Sequence, residues 1–162
     1  MINIIDDFID KDLFKIAIKY LKKGKFIKHK AGDKNFYIQE SPKSFDDYVL
    51  RKLGMIEGKP VENILSFFRV SNEDLDNKWR IHSDLNIDGK KPDRAAVLYM
   101  SNRKVEELHG TAFWEHEVYG KNLPDHITDE EYNKLIEVDS EELDMWRLVS
   151  VSGYEQNRLV SY

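Results

Sequence analysis

Cysteine is absent from this sequence of 162 residues. Disulfide bonds, thiolate catalysis and zinc sites with cysteine ligands are therefore excluded, and any metal ion must be held by histidine, aspartate or glutamate. Uninterrupted apolar runs are also far shorter than the roughly 20 residues that span a bilayer. The N-terminal segment turns acidic at Asp6 and Asp7 before a secretory signal can form. We therefore expect a cytoplasmic protein without a membrane partner.

A large excess of one charge is missing too, because 25 basic residues face 30 acidic ones and the net charge is −5. This balance argues against a nucleic-acid partner. Hydrophobic residues make up 41% of the chain, which suits a compact core. We expect one domain over residues 1–162.

Two helices are indicated in the first third of the chain. Apolar residues recur at helical spacing over residues 10–24, between Asp10 as an N-cap and Gly24 just past the end. The other side of this segment carries lysines, which we interpret as a solvated face. Ser44 predicts the start of a second helix, which ends at Gly54.

From residue 61 onward the apolar residues recur with a period of two, which is typical of strands. Strands are predicted over residues 64–70, 79–84, 94–100, 111–116, 146–151 and 158–162. No segment between them has the pattern of a crossover helix. The predicted fold is therefore mainly β (α+β), an antiparallel sandwich or jelly roll rather than a doubly wound parallel sheet.

An acidic insertion, residues 125–146, separates two of these strands and holds nine acidic residues and one basic residue. Thr128 and Glu131 supply a capping box for a helix within it. The acidic residues lack the spacing of a calcium-binding loop. We interpret the insertion as a surface excursion.

Residues 79–84 read Trp-Arg-Ile-His-Ser-Asp and contain the most informative pair of side chains. In a strand, residues i and i+2 point to the same side, so the His82 imidazole and the Asp84 carboxylate would lie together. Such a pair can hold a divalent metal ion. The spacing alone also fits an ordinary hydrogen-bonded pair.

Several short segments follow one another in a particular order. They are Ile4-Ile5-Asp6-Asp7-Phe8, His82-Ser83-Asp84, Ala96-Val97-Leu98-Tyr99-Met100, Gly110-Thr111-Ala112-Phe113 and Asn157-Arg158-Leu159-Val160-Ser161-Tyr162. In this order, and over nearly the whole chain, the sequence resembles the 2-oxoglutarate/Fe(II)-dependent dioxygenases of the prolyl-4-hydroxylase-like branch.

The resemblance implies a double-stranded β-helix, a cupin-like jelly roll with the N-terminal helices packed on one sheet. It implies Fe(II) held by two histidines and one carboxylate, with 2-oxoglutarate and O₂ as co-substrates and ascorbate as a supporting reductant. Such enzymes couple decarboxylation of 2-oxoglutarate to succinate with hydroxylation of a C–H bond, here in an unidentified peptide or small molecule. Carried over by position, His82 and Asp84 are metal ligands, and Tyr99 donates a hydrogen bond to the far carboxylate of 2-oxoglutarate.

Three site assignments stay open at this point. Tyr99 also fits an ordinary sheet aromatic with its hydroxyl at the barrel mouth. Arg158 suits either a contact with the 2-oxoglutarate carboxylate or an ion pair with the acidic insertion. His116 is the best of the remaining histidines as a third metal ligand, although strand alternation puts it on the face opposite Thr111 and Phe113.

The family places its second metal-binding histidine, and the basic residue that pairs with 2-oxoglutarate, after the segment that ends here at Tyr162. We therefore expect a C-terminally truncated chain with little turnover. The missing strands would leave residues 158–162 at an unpaired sheet edge, and we expect a homodimer through that edge. The alternative function is a non-catalytic jelly-roll binding module, and the substrate cannot be read from the sequence.

Overall fold

A computed structural model of the protein describes residues 2–31, 34–70, 81–82, 90, 92–101, 110–122, 124 and 126–162. Within these residues the chain is mixed α/β with antiparallel sheets. Its α-helices are α1 (Lys11–Lys23), α2 (Lys43–Glu57) and α3 (Asp129–Glu137). Its strands are β1 (Asn3–Ile5), β2 (Ile27–Ala31), β3 (Lys34–Glu40), β4 (Phe67–Val70), β5 (Ala96–Leu98), β6 (Gly110–His116), β7 (Trp146–Gly153) and β8 (Leu159–Ser161). Two 3₁₀ turns, Asp139–Glu141 and Leu143–Met145, follow α3.

The described residues group into two compact units. The helical unit contains those within residues 9–77 and 85–93, and the strand unit contains those within residues 1–8, 78–84 and 94–162. The single domain over residues 1–162 stays a prediction. None of the described helices is long and apolar enough to cross a bilayer.

Helix α1 confirms the helix predicted from the periodicity of residues 10–24. Asp10 stands at its N-cap position, but its side chain makes no capping hydrogen bond. Instead Asp10 ties α1 to α2, because its backbone N–H donates to the Tyr48 hydroxyl at 3.1 Å and Lys52 Nζ lies 3.5 Å from its carboxylate.

Helix α2 has different ends from those predicted. The N-cap position is Pro42 rather than Ser44, because the Pro42 carbonyl accepts the backbone N–H groups of Phe45 and Asp46 at 2.8 Å and 3.1 Å and so opens the helix. The helix also runs past Gly54 and ends at Gly58, whose left-handed φ of 68° suits a glycine C-cap. The predicted boundaries at Ser44 and Gly54 are therefore wrong, while the existence of the helix is confirmed.

Strands β2, β3 and β4 form an antiparallel sheet in that order, and Tyr37 of β3 pairs with Lys28 on one side and Val70 on the other. Strands β2 and β3 precede α2, so the prediction of strands only from residue 64 onward is wrong. The sequence gives little sign of β2, because Lys28, His29 and Lys30 are all exposed and the strand has no apolar alternation.

Both helices of this unit contact Phe68 of β4, which is buried. The rings of Tyr20 from α1 and Phe45 from α2 lie 6.3 Å and 5.3 Å from the Phe68 ring, between centroids. Helices packed on an antiparallel sheet thus agree with the predicted α+β arrangement. The jelly roll itself stays a prediction.

In the strand unit, β8 lies at the centre of a three-stranded sheet between β1 and β5. Val160 pairs with Ile4 on one side and with Val97 on the other, and it is completely buried. The predicted unpaired edge at residues 158–162 is therefore wrong, because this strand is hydrogen-bonded along both sides. A homodimer remains a prediction, but it loses the edge from which it was inferred.

Strands β6 and β7 form the other antiparallel pair of this unit. Thr111 pairs with Ser152, and the register shifts between Phe113 and Trp114, where Val149 is the extra residue on β7. The strands predicted over residues 64–70, 94–100, 111–116, 146–151 and 158–162 are confirmed with somewhat different bounds. Of the strand predicted at residues 79–84, only Ile81 and His82 are described, and neither lies in a strand.

Candidate functional site

Two hydroxyl groups meet between the sheets of the strand unit. Tyr99 directly follows β5, and its backbone N–H donates to the Arg158 carbonyl at 3.0 Å. The Tyr99 hydroxyl lies 2.7 Å from the Thr111 hydroxyl on β6. Burial raises the pKa of Tyr99, so this phenol stays protonated at neutral pH. Because one hydroxyl donates to the other, one proton of the pair remains for a further acceptor.

A third hydroxyl, that of Ser152, belongs to the same region of the strand unit. Ser152 pairs with Thr111 across β6 and β7, and directly opposite residues of an antiparallel pair project from the same face. The Ser152 side chain is buried, and its Oγ has no hydrogen-bond partner among the residues that the structure describes. A buried hydroxyl without a partner is costly, and such groups often face a water molecule or a ligand.

The Tyr99 ring is held in place by a second tyrosine. The Tyr99 and Tyr154 ring centroids lie 5.2 Å apart, and the Tyr154 hydroxyl donates to the Ser101 carbonyl at 2.7 Å. The Tyr154 hydroxyl is therefore directed to the backbone, whereas that of Tyr99 is directed to Thr111. Phe113, two residues after Thr111, packs edge-on against Tyr162 at 5.2 Å. Tyr99 is therefore held by an aromatic contact, and a second aromatic pair lies on the strand that carries Thr111.

Arg158 lies next to Tyr99 but is already engaged. Its Nε donates to one carboxylate oxygen of Asp6 at 2.5 Å and its NH2 to the other at 3.0 Å, while NH1 donates to the Gly153 carbonyl at 2.7 Å. The hydrogen bond from Arg158 lowers the pKa of Asp6. The alternative ion pair with the acidic insertion is therefore wrong, because the partner carboxylate is Asp6 at the N-terminus. Contact between Arg158 and 2-oxoglutarate stays a prediction. It would require the Arg158 guanidinium to share or break its two hydrogen bonds to Asp6.

The predicted metal pair is described only in part. His82 is exposed, and it follows Ile81, whose backbone N–H donates to the Ser140 carbonyl at 3.0 Å. Asp84 lies outside the described residues, so the convergence of the two side chains stays a prediction. Among the residues that are described, no group of three or more His, Asp or Glu side chains is placed to hold a metal ion.

His116 lies in the strand unit with only 4% of its surface exposed. Its Nδ1 accepts the backbone N–H groups of Val118 at 3.2 Å and Tyr119 at 3.3 Å, so the ring proton belongs on Nε2. Nε2 lies 3.3 Å from the Asp139 carboxylate, although the angle is not that of a hydrogen bond. The Lys134 ammonium binds both oxygens of the same carboxylate, at 2.9 Å and 3.0 Å. In this arrangement His116 anchors the acidic insertion, and its role as a third metal ligand stays a prediction.

The acidic insertion is therefore more than a surface excursion. Its capping box is confirmed, since Glu131 N–H donates to the Thr128 hydroxyl and Thr128 N–H donates to the Glu131 carboxylate. Beyond that helix, Asp139 and Ser140 are buried, and the Asp139 carbonyl accepts the Trp146 indole N–H at 2.6 Å. The exposed acidic side chains form only the outer face of the insertion, because Asp139 and Ser140 within it are buried.

Sequence reasoning missed Ser152 and Asp139. Ser152 is one of two serines in Ser-Val-Ser within β7, and only its register opposite Thr111 distinguishes it. Asp139 is one of nine acidic residues in its segment, and its burial and its contacts with His116 and Lys134 set it apart only in the fold. Neither position carries a local sequence signal.

Compared with models of known protein families, with curated proteins and with solved structures, the chain has no match.

Proposed function

We propose that this chain is a 2-oxoglutarate- and Fe(II)-dependent oxygenase domain that acts on a C–H bond of a peptide or small molecule. The observation that carries the proposal is the group of hydroxyls formed by Tyr99, Thr111 and Ser152. It offers a protonated phenol, a shared hydroxyl proton and a buried hydroxyl that has no partner in the described part of the chain. Neutral donors of this kind suit one end of a dicarboxylate.

The residues fit the two cofactors to different extents. The three hydroxyls of Tyr99, Thr111 and Ser152 fit the far carboxylate of 2-oxoglutarate. The resemblance already predicts that Tyr99 makes that contact. Bound 2-oxoglutarate and Fe(II) would supply oxidative decarboxylation coupled to hydroxylation. For iron, His82 is the one described residue of the pair expected to bind it, and the described residues alone do not form a set of three ligands.

One observation favours the alternative, a non-catalytic binding module. The cation beside Tyr99 is Arg158, and its guanidinium is held by Asp6 and by the Gly153 carbonyl. A module that binds a neutral polar ligand at the three hydroxyls would not need the Arg158 cation. The two functions therefore differ in whether a dicarboxylate binds.

The test is titration of the full chain with 2-oxoglutarate in the presence of Mn(II), followed by intrinsic fluorescence. Tyr99→Phe removes the hydroxyl from the proposed site, while Tyr154→Phe removes a neighbouring tyrosine hydroxyl that bonds to the Ser101 carbonyl. A neutral hydrogen bond contributes about 0.5–1.5 kcal/mol, so we expect Tyr99→Phe to weaken binding by about two- to tenfold. The Tyr154→Phe control should bind like the wild type.

A second measurement tests which histidine binds the metal ion. Mn(II) binding in the same titration should be lost in His82→Ala and kept in His29→Ala, which changes an exposed histidine of β2 in the other unit. Metal binding that survives His82→Ala would contradict the iron assignment. Absence of 2-oxoglutarate binding by the metal-loaded protein would overturn the oxygenase proposal and leave the binding module.

A further inference from the structure

A half-open apolar groove lies between α1 and α2 in the helical unit. It encloses about 680 Å³. Its walls and floor are formed by Leu13, Ile16, Ala17, Tyr20, Phe45, Tyr48 and Phe68, together with a few polar residues of α2 and Pro42. Ile16 on the α1 wall is 65% exposed, so the groove is open to solvent at this wall. A large apolar surface of this kind usually marks a binding site.

The open side of the groove carries an excess of positive charge. Lys19 and Lys23 follow Ile16 at i+3 and i+7, so they border the apolar stripe of α1, and neither forms an ion pair with another described residue. On the opposite wall Arg51 stacks over the Tyr48 ring at 5.6 Å. The acidic residue of that wall, Asp47, is neutralised by Lys43 at 2.8 Å. The rim is therefore cationic on both sides.

The charge of the surrounding chain has the same sign. Over the ranges of the helical unit, residues 9–77 and 85–93, the sequence contains 16 basic and 13 acidic residues, which gives +3, although the whole protein carries −5. An acidic ligand is thus attracted to this unit in particular. The groove therefore selects its ligand by negative charge as well as by apolar contact.

The dimensions of the groove suit a short helix. From Leu13 to Tyr20 the α1 wall rises about 10 Å, and from Ser44 to Arg51 the α2 wall rises about the same, which is two helical turns. The stripes that line it are aliphatic and aromatic, as in grooves that receive the apolar face of an amphipathic helix.

We propose that this groove binds an amphipathic helix of another protein, with apolar residues at i, i+3, i+4 and i+7 and acidic residues on both sides of that stripe. Leucine-like side chains enter between Ile16 and Tyr48, and the flanking carboxylates meet Lys19, Lys23 and Arg51. The proposal rests only on the helical unit, so it stands or falls independently of the oxygenase.

The probe is a fluorescein-labelled helical peptide of about 15 residues, with leucines at the stated spacing and glutamates elsewhere, titrated with the full chain by polarisation. A second peptide has lysines in place of the glutamates. We expect the acidic peptide to bind at least about tenfold more tightly, and its binding to weaken as salt rises from about 0.05 M to about 0.5 M.

Matched variants locate the site. Ile16→Asn should weaken binding of the acidic peptide at least about fivefold, whereas Ile27→Asn, which changes an isoleucine of β2 with the same 65% exposure, should have no effect. The double change Lys19→Glu with Lys23→Glu should abolish the preference for the acidic peptide. The same charge change at Lys11 and Lys22, on the other side of α1, should preserve it. Circular dichroism confirms that each variant keeps its helices.

Three results would overturn the proposal. One is equal binding of the acidic and basic peptides, or equal effects of Ile16→Asn and Ile27→Asn. Another is a dimer in light scattering that Ile16→Asn dissociates, because a second copy would then occupy the groove. The third is Ile16-dependent binding to vesicles of phosphatidylserine and phosphatidylcholine without peptide binding, which would assign the surface to a membrane.

Discussion

His116 Nε2 lies 3.3 Å from a carboxylate oxygen of Asp139, and both side chains are buried. The contact joins the end of β6 to the 3₁₀ turn after α3, where Trp146 packs edge-on against the imidazole at 4.8 Å. Lys134 already binds both Asp139 oxygens. The negative charge that His116 faces is therefore balanced by the Lys134 ammonium. The acidic insertion is therefore held to the strand unit by a small polar core, around which its exposed acidic residues remain in solvent.

We expect His116→Ala to destabilise the protein by about 1–3 kcal/mol, because it removes the Nδ1 that accepts two backbone N–H groups and leaves a void beside Trp146. His29→Ala, at an exposed position of β2, should change stability by less than about 0.5 kcal/mol. Urea unfolding measures both. Hydrogen exchange should accelerate in α3 and in Asp139–Glu141 of the His116 variant. Equal stability of the two variants would contradict the anchoring role.

The ion pair between Asp6 and Arg158 predicts a pH dependence of stability. The folded-state pKa of Asp6 is lowered from 3.8, mainly by the hydrogen bond from Arg158, so folding favours the ionised carboxylate. The stabilising contribution is therefore present above about pH 4 and disappears as the pH falls through the lower folded-state pKa. Asp6→Asn should accordingly be less stable than wild type at neutral pH, and the two should converge in acid.

Urea titrations at about pH 7 and about pH 3 would measure this convergence. Asp144→Asn is the control, since it removes the same charge from an exposed side chain that has no ion-pair partner among the described residues. Its difference from wild type should stay small at both pH values. An Asp6→Asn deficit that is as large in acid as at neutral pH would show that the ion pair is not its cause.

The Ser152 hydroxyl predicts opposite effects on stability and on ligand binding. Its Oγ is buried and has no hydrogen-bond partner among the described residues, so Ser152→Ala relieves a desolvation cost and should stabilise the ligand-free protein by up to about 1 kcal/mol. The same change should weaken 2-oxoglutarate binding, because a donor of the proposed site is lost. Ser150→Ala, at an exposed position of the same strand, is the control for both measurements. A destabilised Ser152→Ala protein would mean that the hydroxyl is satisfied in solution.

Local sequence predicts the elements of this fold better than it predicts their partners. The α3 capping box is confirmed because both of its hydrogen bonds join Thr128 and Glu131, three residues apart. The predicted start of α2 at Ser44 is wrong because the first carbonyl of the helix is that of Pro42, and no side chain caps this end, so the capping preference of Ser44 is not used. The position of β8 depends on pairing with β1 and β5, whose distance along the chain leaves no local pattern.

The candidate site divides in the same way. Tyr99 could be singled out from its strand and from the resemblance, since a phenol beside small residues suggests a pocket. Its bond to Thr111 and the place of Ser152 beside that residue arise from two sheets meeting, which periodicity does not describe. Contacts that depend on the register between strands far apart in sequence can therefore be identified only from the structure.

The central position of β8 predicts that Leu159 is a major contributor to stability. Leu159 is 1% exposed and pairs with Ile5 and Leu98 on its two sides. Leu159→Ala should cost about 2–5 kcal/mol, since the sheet cannot close around the missing side chain. Leu148→Ala, on β7 with 49% exposure, removes the same atoms and should cost much less. Urea unfolding of the two variants decides the matter, because similar losses would mean that residues 159–161 lie at a sheet edge rather than at its centre.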